Sequence, residues 1–195
     1  MFYQRFKRLL DILLSILLLP LFLILYIVIG TLIKLEDNGP VIYKGERIGK
    51  RNKKFFMYKF RSMKVDAPNI LNADGSTFNS ENDPRVTKIG KFIRESSIDE
   101  IPQIINVLRG DMSFIGPRAS LYSVLSTFEE KEKDKMKVRP GITGYTQAYY
   151  RNGLSNKEKR LKDAWYANNV SFFLDLKIIL KTIQMVIKKE NIYTK

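Results

Sequence analysis

The chain has 195 residues, enough for one domain with a buried core, and it contains neither cysteine nor histidine. These absences exclude a thiolate nucleophile, a Ser-His-Asp triad and an ordinary zinc site, so catalysis must use Asp, Glu, Ser, Lys, Arg or Tyr. The formal net charge of +14 indicates an anionic partner, which is nucleic acid, anionic lipid or a phosphorylated substrate.

The first predicted element is a membrane helix. Residues 12–33 are 22 consecutive uncharged, largely apolar positions. As a helix they would span about 33 Å, which is long enough to cross a bilayer. Pro20 lies near the middle, where it removes a backbone hydrogen bond and can bend the helix.

The charges on both sides of this segment bear on how it enters the membrane. Arg5, Lys7 and Arg8 precede it, and residues 34–64 carry ten Lys/Arg against three Asp/Glu. The positive-inside rule favours both flanks in the cytoplasm, which a helix that bends at Pro20 and returns satisfies. A single-pass anchor with the globular part inside is the alternative. We therefore expect a re-entrant helix over residues 1–36 and a cytoplasmic domain over residues 37–195.

Residues 41–63 predict a β-hairpin around the turn GKRNKK. Alternation in the second strand places Lys59 and Arg61 on one face and three aromatic residues on the other, namely Phe56, Tyr58 and Phe60. We expect the aromatic face against the core and the basic face toward a phosphate. A solvated basic face is the commoner arrangement.

The next segments predict a loop and a short helix. Residues 65–83 are polar and rich in turn formers, which predicts a surface loop that either covers a substrate or merely connects elements. Thr87 is placed to cap a helix that carries Ile93 and Arg94.

The most informative stretch runs from Ser96 to Arg118. A short helix should begin at Pro102 and end at Gly110, with Asp99 and Glu100 directly ahead of it. Free N–H groups at a helix start attract phosphate, and adjacent carboxylates would either hold a divalent cation or attack the phosphate.

A purely structural alternative exists for the same residues. Ser97 and Glu100 fit a capping box, with serine at the N-cap and glutamate at the third helical position. Pro102 would then be the fifth helical residue, where its ring meets a backbone carbonyl. A helix that starts nearer Pro102 avoids this clash and leaves both carboxylates free.

The rest of the chain is predicted to be mostly helical, over residues 120–137, 155–168 and 171–190. The charge-dense end of the first of these helices predicts a solvated face, and VRPGITG, which contains Arg139, predicts a Pro-Gly turn. The last helix either lies in the lipid headgroup region or packs on the core. The fold class is therefore α+β and mainly helical, with a small β-hairpin and interfacial amphipathic helices.

Six segments in order resemble the bacterial sugar transferase family, the small monotopic phosphoglycosyl transferases. They cover almost the whole chain and read KRLLD, YKFRSM, DPRVTKIGKFIR, SIDEIPQIINVLRGDMSFIGPR, VRPGITG and SFFLDLKI. The resemblance implies transfer of a phosphosugar from a UDP-sugar to polyprenyl phosphate, usually undecaprenyl phosphate, with release of UMP and a requirement for Mg²⁺. It implies a bacterial inner membrane location with the site facing the cytoplasm, membrane lipid as a partner and no nucleic acid, and it leaves a homodimer open.

The resemblance also implies the catalytic residues. Asp99 would attack the sugar-bearing phosphorus to form a covalent phosphosugar intermediate. Glu100 would orient or deprotonate the lipid phosphate, and the two carboxylates would support the metal.

Basic residues are the expected phosphate ligands, because a guanidinium fork matches phosphate geometry. Arg94, Arg118 and Arg139 are predicted to bind substrate phosphates, and Lys59 and Arg61 the nucleotide end.

Three further residues are expected to support the site. On a helix, Gln103 and Asn106 would face the same way as the carboxylates, and Pro117 would stiffen the turn before Arg118. The family pattern Pro-Arg-Pro reads Pro117-Arg118-Ala119 here, which removes one source of that stiffness.

Two other functions are compatible with the composition. One is a membrane-tethered basic module that binds anionic lipid or nucleic acid, although the basic residues are spread among apolar positions and no nucleic-acid motif is found. The other is a phosphatase that uses the same carboxylates with water as acceptor.

Overall fold

A computed structural model describes residues 2–68, 70, 78, 80, 82–150 and 153–188. The predicted α+β, mainly helical class is confirmed. The elements in chain order are α1 (Phe2–Asp37), β1 (Ile42–Ile48), β2 (Lys54–Phe60), α2 (Lys88–Glu95), α3 (Gln103–Arg109), β3 (Ser113–Ile115), α4 (Glu130–Lys133), β4 (Gly141–Thr143), α5 (Tyr145–Tyr149), α6 (Asn156–Asn168) and α7 (Phe172–Lys188).

Helix α1 is long and apolar enough to cross a membrane, with a mean hydropathy of 3.1 in its most apolar window. It runs for 36 residues without interruption through Pro20. One face is buried, where Phe22, Ile29 and Ile33 join a cluster with residues of the globular part, namely Phe60, Ile93 and Ile104. The opposite face exposes its large apolar side chains, among them Leu13, Ile16, Leu17, Leu21, Ile24, Ile27, Val28 and Leu35.

Both ends of α1 make polar contacts with the globular part. Near the start, Arg8 donates to the backbone oxygens of Val107 and Leu108. Asp11 Oδ1 accepts from Ser113 Oγ at 3.0 Å and from the Phe114 N–H at 3.1 Å. At the other end the Asp37 carboxylate pairs with Arg61, and Glu36 accepts from the first N–H groups of α2. The helix therefore lies along the domain and is fixed to it at both ends.

The predicted hairpin is present as the antiparallel pair β1–β2, with Tyr43 opposite Lys59. The prediction that Phe56, Tyr58 and Phe60 together face the core is wrong. Phe56 is 48% exposed, whereas Phe55 and Met57 on the other face are buried. The reason is that Val107 and Met112 pack against the face that carries Phe55 and Met57. Lys59 lies on this same face.

A second small sheet was not predicted. Strands β3 and β4 pair in parallel, with Ser113 opposite Gly141 and Ile115 opposite Thr143, so the last part of VRPGITG, Gly141–Thr143, forms a strand where a turn was expected. The backbones approach so closely that a Cβ on Gly116 would lie 2.4 Å from Arg139 O, and one on Gly144 would lie 1.9 Å from Gly116 O. Glycine is therefore required on both sides of this contact.

The C-terminal helices agree in part with expectation. Helices α6 and α7 are found where they were predicted, and Ser155 caps α6 through the N–H of Glu158. The helix expected over 120–137 is broken into a 3₁₀ turn over Tyr122–Thr127, the short α4 and a second 3₁₀ turn. Its charge-dense end is not simply solvated, because Glu132 and Lys135 are buried in ion pairs with α6.

Candidate active site

Asp99 and Glu100 lie in a single 3₁₀ turn, Ile98–Glu100, immediately before α3. Ser97 precedes this turn in the left-handed region, with φ at 57°, and its side chain makes no capping hydrogen bond. The capping-box alternative is therefore wrong, since an N-cap residue has extended backbone and its side chain accepts from the helix. Helix α3 begins directly after Pro102, and Gly110 ends it with φ at 89°, as the sequence predicted.

Lys59 bridges the two carboxylates. Its Nζ lies 2.6 Å from Glu100 Oε1 and 3.2 Å from Asp99 Oδ2. The three side chains are between 11% and 26% exposed, so they meet in a partly buried recess that solvent still reaches. A strand residue of the hairpin is thus brought to two residues about 40 positions later in the chain.

The three groups differ in how firmly they hold a proton. Burial and the neighbouring Glu100 charge raise the pKa of Asp99, and Lys59 offsets part of this rise. Burial also disfavours the Glu100 carboxylate, but Lys59 and Arg118 outweigh it and hold the pKa of Glu100 below its usual range. The two carboxylates keep the pKa of Lys59 above its usual value in spite of burial. Glu100 and Lys59 are therefore ionised at neutral pH, and Asp99 is the more basic carboxylate.

Arg94 and Arg118 approach the carboxylates from two other elements. Arg94 lies in the last turn of α2, and its Nε donates to Ser62 Oγ at 2.7 Å. Its positive charge lowers the proton affinity of Asp99. Arg118 follows β3 with an exposed side chain, and its charge acts on Glu100. These residues, with Lys59, place three positive charges around one pair of negative ones.

The other two predicted phosphate ligands lie elsewhere. Arg61 is buried, forms a two-point pair with Asp37 and donates to the Pro40 and Met63 carbonyls. Its donors are thereby used to join the end of α1 to the hairpin. Arg139 donates to Gly110 O at the far end of α3, where carbonyl groups attract cations. The structure does not bring either residue to the carboxylates.

The three predicted supporting residues, Gln103, Asn106 and Pro117, are buried. Gln103 is 2% exposed in the first turn of α3. Asn106 does not face the carboxylates, because its side chain is turned to strand β2, where it bonds to the backbone of Phe56 and Tyr58. Pro117 is buried next to Arg118, and its carbonyl accepts from Gly141 N at 3.0 Å.

The donor set for a metal is small. No group of three or more Asp and Glu side chains with metal-site spacing is found among the described residues. Asp99 and Glu100 provide two carboxylates, and Mg²⁺ is commonly bound by one or two carboxylates together with waters and substrate phosphates. The pair therefore fits the ligand set of a Mg²⁺ ion, which Asp99 and Glu100 would hold.

A second set of buried charges, which was not predicted from the sequence, lies close to Arg118. Asp163 on α6 and Lys135 after α4 form an ion pair of 3.0 Å that contacts the Arg118 backbone. No local signal marks either residue, because Lys135 lies in a charge-dense run and Asp163 in a polar helix.

Comparison with known proteins identifies the family. The bacterial sugar transferase family profile matches residues 2–189, and the chain belongs to this family, as its motifs indicated. Over 95% of its length it is 40% identical to the uncharacterized sugar transferase EpsL of Bacillus subtilis and covers 89% of that protein. It is 40% identical over 95% of its length to the UDP-N-acetylgalactosamine-undecaprenyl-phosphate N-acetylgalactosaminephosphotransferase of Aeromonas hydrophila.

A third relative is the UDP-glucose:undecaprenyl-phosphate glucose-1-phosphate transferase of Klebsiella pneumoniae, with 42% identity over 91% of this chain. The chain spans 44% of the Aeromonas protein and 39% of the Klebsiella protein. It therefore corresponds to one part of these longer relatives and to most of EpsL.

Proposed function

We propose that this protein transfers a sugar 1-phosphate from a UDP-sugar to undecaprenyl phosphate and releases UMP. Relatives about 40% identical carry names that state this reaction for N-acetylgalactosamine and glucose. The observation that carries the proposal is the recess in which Lys59 touches both Asp99 and Glu100 while the Arg118 charge acts on Glu100. Two anionic substrates require such a concentration of positive charge beside a nucleophile.

The reaction has two steps. In the first, an Asp99 carboxylate oxygen bonds to the phosphorus that carries the sugar, the bond from that phosphorus to the bridging oxygen breaks, and UMP leaves with the electron pair. In the second, a phosphate oxygen of undecaprenyl phosphate attacks the same phosphorus and Asp99 leaves as a carboxylate. One transfer between two mutually repelling anions is thereby divided into two easier displacements. The raised pKa of Asp99 suits this role, because a more basic carboxylate is the better nucleophile once ionised.

The surrounding residues stabilise charge. Lys59 and Arg118 contact the phosphate oxygens as negative charge develops on them, and the Arg94 charge favours the carboxylate form of Asp99. Glu100 stays ionised and orients the acceptor phosphate. Asp99 and Glu100 would hold Mg²⁺, which neutralises the substrate diphosphate when it is bound.

The membrane arrangement that we propose is a re-entrant α1 with the site on the cytoplasmic face. The contacts of Arg8 and Asp11 at one end of α1 and of Asp37 at the other all involve the same globular part. A straight transmembrane span would place one of these ends across the bilayer from its partners. A helix that enters one leaflet and returns keeps both sets of contacts and inserts the exposed apolar face.

The test is a mass measurement on the purified protein in detergent with Mg²⁺. Incubation with a panel of UDP-sugars and no lipid acceptor should add the mass of one phosphosugar and release one UMP. Undecaprenyl phosphate should then remove the added mass. Asp99→Asn should add none, and the surface variant Asp134→Asn should behave as wild type. UMP release without a covalent adduct would contradict the nucleophile, and no UMP release with any sugar and lipid would contradict the function.

A further inference from the structure

The backbone of Arg118 is held from both sides by two buried side chains. Its N–H donates to Asp163 Oδ2 at 3.1 Å, and its carbonyl accepts from Lys135 Nζ at 2.9 Å. The preceding carbonyl, that of Pro117, accepts from Gly141 N at 3.0 Å. Three consecutive polar groups of the main chain are thus bonded to fixed partners, while the Arg118 side chain is exposed.

The two side chains also bind each other. Lys135 Nζ lies 3.0 Å from Asp163 Oδ2, and the residues are only 6% and 1% exposed. Thr146 Oγ1 donates to the other Asp163 oxygen at 2.8 Å, and Lys135 also donates to Ser120 Oγ at 3.2 Å. A buried ion pair of this kind is stable only when its remaining hydrogen bonds are made, and here the Arg118 backbone makes two of them.

The sequence around Arg118 shows why such a restraint matters. A proline after an arginine narrows the backbone angles of that arginine, and Ala119 supplies no such restriction. The Asp163–Lys135 pair restricts the same residue by hydrogen bonding instead. Lys135 belongs to a charge-dense run, where a lysine side chain could be solvated by water. Its Nζ instead points inward and donates to the carbonyl of Arg118, the residue before Ala119.

We propose that Asp163 and Lys135 are positioning residues, which fix the Arg118 backbone so that its guanidinium meets the phosphates of the UDP-sugar. The inference rests on the proposed function, because it requires that Arg118 contacts substrate. Asp163 and Lys135 touch no substrate themselves and act only through Arg118.

A double-mutant cycle between Asp163→Asn and Arg118→Ala tests this role. The readout is the single-turnover rate of UMP release from labelled UDP-sugar, which keeps slow variants measurable, together with kcat and KM. In the wild-type background Asp163→Asn should lower kcat/KM on the order of ten- to a hundredfold. In the Arg118→Ala background it should change the rate by less than about twofold, since the residue that it positions is gone.

The neighbouring ion pair provides the control. Glu132 is 1% exposed and pairs with Arg160 at 3.1 Å, and it joins α4 to α6 without touching Arg118. Glu132→Gln should lower the melting temperature as Asp163→Asn does but leave kcat/KM per folded molecule within about twofold. If Asp163→Asn does not fold, the double variant Lys135→Met, Asp163→Leu is used instead. It removes both charges of the pair and keeps similar side-chain volumes.

The outcomes are distinct. Equal losses from Asp163→Asn in both backgrounds, or a loss no larger than that of Glu132→Gln, would overturn the positioning role. A wild-type protein that releases no UMP would instead refute the proposed function. A loss confined to the background that contains Arg118 supports both.

Discussion

The side-chain amide of Asn106 bonds to strand β2 on both sides of Met57. Its Oδ1 accepts from the Tyr58 N–H at 2.9 Å, and its Nδ2 donates to Phe56 O at 2.7 Å. Asn106 is fully buried, so these bonds are not shared with water. They connect the helix that follows the carboxylates to the strand that carries Lys59, and thereby set the distance between the two halves of the site.

Replacing Asn106 with leucine should therefore weaken both the fold and the site. Two buried backbone groups would lose their partners, at about 1–3 kcal/mol each. We expect the free energy of unfolding, measured by denaturant titration in detergent, to fall by about 2–4 kcal/mol and UMP release to fall with it. The exposed Asn168→Ala should change stability by less than about 0.5 kcal/mol. An Asn106→Leu protein of wild-type stability would show that these bonds contribute nothing.

The pH dependence of the covalent step should reflect Asp99. Attack requires the carboxylate form, and the pKa of Asp99 is raised above 3.8. As the pH is lowered, the rate of adduct formation should then fall around a pH that is higher than the usual pKa of an aspartate. Removing the Lys59 charge removes an influence that favours ionisation, so Lys59→Met should move this acid limb to higher pH, and Lys59→Arg should move it less. Initial rates of adduct formation across a pH series measure the limb, and a shift to lower pH in Lys59→Met would contradict the assignment.

Ionisation of Asp99 should lower the stability of the fold, although the same ionisation is required for activity. A carboxylate whose pKa is raised on folding loses stability as the pH rises from its usual value through the raised one. Asp99→Asn removes this loss, and Lys59 keeps Glu100 as its partner. We expect the variant to be inactive and to melt at or above the wild-type temperature at pH 7. The difference should shrink on acidification toward the usual aspartate value. A variant that melts lower than wild type at pH 7 would mean that Asp99 stabilises the fold as a charged group.

Gly90 sets the position of Arg94. A Cβ on Gly90 would lie 2.0 Å from Ser62 O, in the segment whose hydroxyl accepts from Arg94 Nε. Gly90→Ala should push α2 away from this segment, with a cost of about 1–3 kcal/mol and a loss of activity that exceeds the loss of folded protein. Lys91→Ala, on the exposed side of the same helix, is the matched control. Thermal melting and UMP release measured on the same samples separate the two effects.

Features that depend on neighbouring residues were predictable from the sequence. Pro102 and Gly110 bound α3 because each suits its end of a helix whatever the rest of the chain does. Strand alternation separated Lys59 from Tyr58 and Phe60, and Lys59 meets both carboxylates from the face that carries Phe55 and Met57. Alternation alone did not reveal which face is buried, because that depends on Val107 and Met112, which pack there from about 50 residues away.

Features that depend on distant partners were not predictable. The parallel pairing of Ser113 with Gly141 has no local signature, so the strand was taken for a turn. Arg61 and Arg139 carry the charge that a phosphate requires, but in the structure Arg61 is paired with Asp37 and Arg139 is bonded to Gly110 O. The burial of Lys135 depends on Asp163, which lies 28 positions later in the chain.

The packing of α1 determines how this protein can be handled. Phe22, Ile29 and Ile33 share a buried cluster with Phe60, on the strand that carries Lys59, and with Ile104, on the helix that follows Asp99 and Glu100. Removal of residues 1–37 would expose the rest of that cluster to water and remove Asp37, the acceptor for Arg61. A water-soluble form should therefore be sought by replacing the exposed apolar residues of the helix with polar ones while its buried residues are kept.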